Sequence, residues 1–162
     1  MSENTLRDEL YAAFKNRAMM YYHIYGGLVK ELGEEKATEI MKRSIYQRGV
    51  EIGKQYKRYA PLDLKGLRDA FLTNVPDGGR MFQPEVLHCD DTRLDIKLNQ
   101  CPLKEAWQEA GLADDEISRL CNIAAAVDDG TFEGAGFSFS ADTWQHGQEG
   151  CCLLRIRPGR RT

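Results

Sequence analysis

Apolar residues recur every three or four positions through the first half of this chain, then alternate with polar ones, and the change of period divides it. Leu6, Leu10, Phe14, Ala18, Tyr21, Tyr22 and Tyr25 share one helical face. Gly26-Gly27 predicts a break or bend, and Leu32-Gly33 predicts the end of that helix. A second stripe follows through Ala37, Ile40, Met41, Ser44, Ile45, Ile52 and Tyr56, stopped by Pro61. Its small positions Ser44, Gly49 and Gly53 leave room for another backbone or a ligand. A shorter helix around Leu64, Leu67, Ala70 and Phe71 precedes the turn cluster Val75-Pro76-Asp77-Gly78-Gly79.

Beyond that turn the period is two. Glu85 to His88 and Arg93 to Leu98 flank Asp90-Asp91, with Leu94, Ile96 and Leu98 alternating with Arg93, Asp95 and Lys97, so a hairpin with one wet face is expected. Pro102 suits a first helical turn and Gly111 a helix end. Asp114 caps a further helix carrying Ile117, Leu120, Cys121, Ala124 and Val127 towards Gly130. Phe137 and Phe139 mark a third strand, and Cys152, Leu154 and Ile156 a fourth, joined through His146-Gly147-Gln148-Glu149-Gly150. The expected fold is α+β: an N-terminal helical layer packed on a small antiparallel sheet of two hairpins, with a helical segment between them. Residues 1–162 read as one domain, with no repeat or linker.

The formal charge of −3 argues against a nucleic-acid surface, which needs clustered Lys and Arg; the terminal Arg155, Arg157, Arg160 and Arg161 read as a solvated end. No apolar run approaches the ~20 residues that cross a bilayer. The polar start Met1-Ser2-Glu3-Asn4-Thr5-Leu6 is unlike a signal peptide. Five cysteines without dense spacing fit a reducing compartment, so a cytoplasmic protein is expected. A small-molecule partner is expected rather than nucleic acid or membrane, and the aromatic first helix offers a face for a homodimer.

Cys101, Cys121 and Cys152 arrive from a strand end, a helix and a strand, and are expected to converge with Asp128 nearby. Cys89 and Cys151 are expected outside that cluster, because strand alternation turns Cys151 and Cys152 to opposite faces. Three chemistries fit these residues. Cys101 precedes Pro102, so a helix N-terminus would lower its pKa and make it the best nucleophile, with Asp128 as general base or water-orienting group. Cys101, Cys121 and Cys152, completed by His88, could instead hold zinc, although no C-x-x-C pair supports that. Reduced cysteines also serve as small apolar core residues. Tyr22, His23 and Tyr25 are candidate walls of a pocket between helices and sheet, and Arg80 is a candidate carboxylate clamp; Tyr22, His23 and Arg80 make up the candidate substrate-binding set. His88, His23, His146 and Arg80 each also have an ordinary structural or solvated reading.

Asn99-Gln100-Cys101-Pro102-Leu103-Lys104-Glu105-Ala106-Trp107, Leu120-Cys121 with Asp128 seven residues on, Thr143-Trp144, and Gly150-Cys151-Cys152-Leu153-Leu154-Arg155-Ile156 resemble the L-2-amino-thiazoline-4-carboxylic acid hydrolase family. The resemblance spans roughly residues 15–158 and extends to Leu32-Gly33-Glu34-Glu35-Lys36-Ala37. It implies a catalytic set at Cys101, Cys121, Cys152 and Asp128. It also implies hydrolysis of a 2-aminothiazoline ring to N-carbamoyl-cysteine: water adds to the amidine-like carbon and the ring C–S bond breaks. The chain departs from the family's Asp-Phe-Arg after the late cysteine, reading Leu153-Leu154-Arg155, which leaves the substrate open. The layout is also similar to vinyl-reductase-type domains, implying as an alternative a non-catalytic small-ligand or metal-binding module.

Overall fold

Thirty residues of unbroken helix open the chain. In the computed structural model, which describes residues 2–161, α1 runs Glu3–Leu32 and α2 Glu34–Gly53. Ser2 caps α1 by accepting the Thr5 N–H, and Gly33, at φ +84°, separates the two helices. Gly26 and Gly27 do not break α1. Nothing approaches them within 4 Å, so the helix passes through solvent there at the ordinary glycine cost. Leu6 is exposed, so the apolar stripe of α1 becomes a packing face only further along, where Ala18 and Tyr25 are buried.

After α2 a 3₁₀ turn, Lys54–Tyr59, leads into α3, Leu64–Asn74, capped by Asp63. Strands β1 (Pro84–Cys89) and β2 (Leu94–Leu98) form the first hairpin. Then come α4 (Pro102–Glu109), α5 (Asp114–Ala124) and α6 (Ala126–Ala135), followed by β3 (Ser138–Asp142) and β4 (Leu153–Arg157). The single helix expected from Asp114 to Gly130 is two helices with a break at Ala125, and the second continues to a left-handed cap at Gly136.

The two hairpins join into one antiparallel sheet ordered β1-β2-β4-β3, in which Leu94 pairs with Ile156 and Ile96 with Leu154. All four of these side chains are fully buried, while the alternating Asp95, Arg155 and Arg157 form ion pairs on the other face. The observed class is therefore α+β, with helices packed on a four-stranded antiparallel sheet. Among the described residues no helix is long and apolar enough to cross a membrane.

Two contacts fix the helical layer. The Trp107 indole Nε1–H donates to the Ala18 carbonyl at 2.9 Å inside the core, tying α4 to α1. The second contact joins α2 to α6 backbone to backbone. A Cβ on Gly49 would stand 2.2 Å from the Val127 carbonyl oxygen, and one on Gly130 would stand 2.1 Å from that of Tyr46. Of the two neighbours that the sequence allows at Gly49 and Gly53, a backbone or a ligand, the backbone of α6 occupies the space.

Replacing Gly130 by Ala forces α2 and α6 apart and should cost ~3 kcal/mol or more in urea denaturation, at the upper end of overpacking penalties. Gly26→Ala, on the open face of α1, should instead stabilise by ~0.5–1 kcal/mol. Equal effects of the two changes would contradict this packing.

Candidate functional site

A cavity of about 350 Å³ lies where the helical layer meets the end of the sheet. Phe14, Arg17 and Tyr21 of α1 line it at spacings of three and four, beside Arg48 and Ile52 of α2 and Cys121 of α5. Asp128 and Thr131 of α6 form another wall, and Cys101, Cys151 and Cys152 reach it from the strand ends. Cys101, Cys121, Cys152 and Asp128 therefore do surround one space.

Cys151 belongs there too, against expectation. Strand β4 begins only at Leu153, so alternation does not govern residues 151 and 152. Gly150, at φ +72°, turns the chain, and the Cys151 and Cys152 sulfurs then lie 3.7 Å apart. The turn is pinned on both sides. Cys151 N–H donates to Leu98 O at 2.8 Å and Leu98 N–H to Cys152 O at 2.9 Å. Lys97 Nζ donates to the Cys151 carbonyl at 2.8 Å, and Lys104 Nζ donates to the Gly150 carbonyl while resting over the Trp144 ring.

The thiols resist ionisation. The neighbouring Cys151 thiol, and then burial, raise the Cys101 pKa well above the ordinary thiol value. The Lys104 and Leu103 backbone N–H groups pull the other way, as a helix N-terminus should, but lose. The lowered pKa expected for Cys101 is thus reversed. For Cys151, the Cys101 thiol lowers the pKa, yet the Cys152 thiol and burial outweigh it, pushing it up to about 12. Burial also drives Cys121 far upward. At neutral pH these three residues are thiols.

Asp128 is the site's acid. It is half-buried, with its free surface on the cavity, and its carboxyl makes no hydrogen bond to another described residue. Burial and then the neighbouring Asp129 charge raise its pKa to about 7, against the opposing pull of Arg17. Arg17 makes no ion pair among the described residues and lies over the Phe14 ring at 4.6 Å.

The other candidates lie elsewhere. Tyr22 and exposed His23 pack against each other on α1, 5.0 Å apart and outside the cavity lining; Tyr21 and Arg17 take the places assigned to them. Tyr25 is buried with its hydroxyl near Thr38. Arg80 is exposed and, with Arg7, pairs with Asp77. His88 meets Asp90 at the hairpin turn of β1 and β2, away from the thiols. Among the described residues, no three His, Cys, Asp or Glu side chains stand where they could share a metal ion, so the donor set considered for zinc does not assemble.

The sequence model of the family described as L-2-amino-thiazoline-4-carboxylic acid hydrolase matches residues 13–156. No curated protein matches the chain. Among solved structures, it is similar to a trafficking protein particle complex subunit 3 from Naegleria fowleri covalently bound to palmitic acid. That similarity has a TM-score of 0.58 at 14% identity, covering 93% of this chain and 99% of the other. At that identity the likeness is one of fold.

The Asp128 shift makes a stability prediction. Between its unfolded pKa near 4 and its folded value of about 7, the folded state binds the extra proton, so stability falls as pH rises through that window and levels off above it. Asp128→Asn should flatten this fall and be the more stable protein at pH 8, by on the order of 2 kcal/mol. Urea denaturation of both proteins from pH 4.5 to 8 checks it; parallel profiles would contradict a raised Asp128.

Proposed function

Because the chain belongs to the L-2-amino-thiazoline-4-carboxylic acid hydrolase family, we propose that it opens the ring of a small cyclic amidine-like substrate by adding water, with Asp128 as base and a protonated thiol as acid. The observation that carries this reading is an unpartnered carboxyl titrating at about 7 in the same cavity as a cluster of protonated thiols.

The roles follow from charge. A 2-aminothiazoline carboxylate carries a cationic amidine and an anionic carboxylate. Arg17 receives the carboxylate, and Asp128 draws the amidine carbon towards its own water. Asp128 takes a proton from that water as its oxygen bonds to the amidine carbon. The C–S bond then breaks, and the electron pair leaves on the ring sulfur. Cys101 supplies the proton to that sulfur. Its raised pKa keeps the proton in place beforehand, and the Leu103 and Lys104 N–H groups stabilise the thiolate once the proton has moved. Asp128 returns its proton to Cys101 through water, and the hydroxyl proton left on the carbamoyl oxygen passes to solvent. The net change is amidinium substrate plus water to the ring-opened carbamoyl thiol and a proton.

A second reading, retention of an apolar chain rather than turnover, is favoured by the mainly apolar cavity lining beside Cys101. The palmitic acid held covalently by the Naegleria fowleri subunit suits the same kind of space. A thioester on Cys101 would form by exchange with an acyl thioester, whose carrier thiol leaves.

Incubation with L-2-amino-thiazoline-4-carboxylate should release a thiol detectable with a chromogenic disulfide, with kcat/KM rising as pH passes through about 7. Asp128→Asn should lower kcat roughly 100- to 10,000-fold, and Cys101→Ser by at least ~10-fold. Full turnover by Asp128→Asn would overturn the assignment. A hydroxylamine-labile acyl mass on the purified protein, without turnover, would favour the second reading.

A further inference from the structure

The ring-opening reading assigns Arg17, Asp128 and the thiols to the carboxylate, the amidine and the ring sulfur. An apolar stretch of the lining is then left without a role. It is built by Tyr56 of the 3₁₀ turn, Phe71 of α3, Val75, Pro76 and Phe82, with Ile52 of α2 beside them.

Its polar edge is small: Asn74 Nδ2 donates to Gln55 Oε1 at 3.0 Å and to the Tyr56 hydroxyl at 3.1 Å, which orders these two amides and the phenol beside the rings. The Tyr56 ring stacks 6.5 Å from Phe132, and Phe71 lies 5.5 Å from the same ring, so both rings are held by the core. Phe82 meets Phe14 edge to face at 5.8 Å. The surface is a packed aromatic one.

Size points the same way. A volume of about 350 Å³ falls within the range of roughly 300–1,000 Å³ that encloses drug-sized ligands, well beyond one small heterocycle. A lone aminothiazoline would leave the aromatic wall facing water or a void, both unfavourable against a filled apolar contact.

We infer that the substrate of this site is an amidine-like heterocyclic acid carrying a bulky apolar group, of about the size of a phenyl ring, which fills the Tyr56–Phe71–Phe82 wall. The inference rests on the hydrolase reading for its polar end and on the cavity alone for its apolar end. Such a group discriminates strongly, since a single methylene in an apolar pocket already changes kcat/KM by roughly 10-fold or more.

The test compares the parent aminothiazoline carboxylate with its derivative bearing phenyl on the ring carbon beside sulfur. If both are opened, the ratio of kcat/KM is read; if neither is, the ratio of Kd by calorimetry is read. The wild-type protein should favour the phenyl derivative by at least ~10-fold, and Ile52→Trp, which fills the space, should abolish that preference. A ratio at or below one overturns the inference, whether or not the ring is opened. Absence of ring opening with a retained binding preference overturns only the hydrolase reading. A preference that survives Ile52→Trp unchanged places the apolar group elsewhere and also overturns the inference.

Discussion

The backbone contact between α2 and α6 is the constraint on which the rest of this structure depends. Gly49 and Gly53 face Gly130 and Thr131 with no side chain between the two helices. The first turn of α6 lines the same cavity as α1. Asp128 then meets the cavity instead of solvent. One helix crossing thereby fixes a carboxyl where protein replaces part of its water, and the raised pKa follows from the packing.

The thiol cluster depends on a second, separate device. The Gly150 turn and the lysine contacts to the Gly150 and Cys151 carbonyls hold two adjacent sulfurs towards one space. Facing them, Cys101 stands at the start of α4, which Trp107 locks to α1. Burial and mutual hydrogen bonding keep these sulfurs protonated more strongly than a helix N-terminus can ionise one of them. A buried acid poised near neutrality and thiols held well above it form a pair of groups pushed apart in pKa, the arrangement that assigns base and acid roles.

Much of this was legible in the sequence, for identifiable reasons. Period-two alternation at Leu94, Ile96, Leu154 and Ile156 marks the buried face of the sheet, and those residues are its core. The elements that carry Cys101, Cys121 and Cys152, with the family resemblance for Asp128, also indicated that these residues lie near one another. What misled was local. The glycines of α2 signal close approach, but sequence does not say whether the neighbour is a ligand or a helix. Adjacent Cys151 and Cys152 part company only inside a strand, and the strand starts one residue later. On α1 the cavity-facing stripe is Phe14, Arg17 and Tyr21, one position round from the Tyr22 and His23 that attracted notice. The spacing of those three residues was the available signal.

The most direct test of the account is an infrared difference titration, comparing the protein with Asp128→Asn for the carboxyl band and with Cys101→Ser for the S–H band. The carboxyl of Asp128 should lose its proton near pH 7, and the Cys101 S–H stretch should persist to well above pH 9. A carboxyl already ionised at pH 5, with a Cys101 S–H band lost by pH 7, would reverse the two roles and contradict the account.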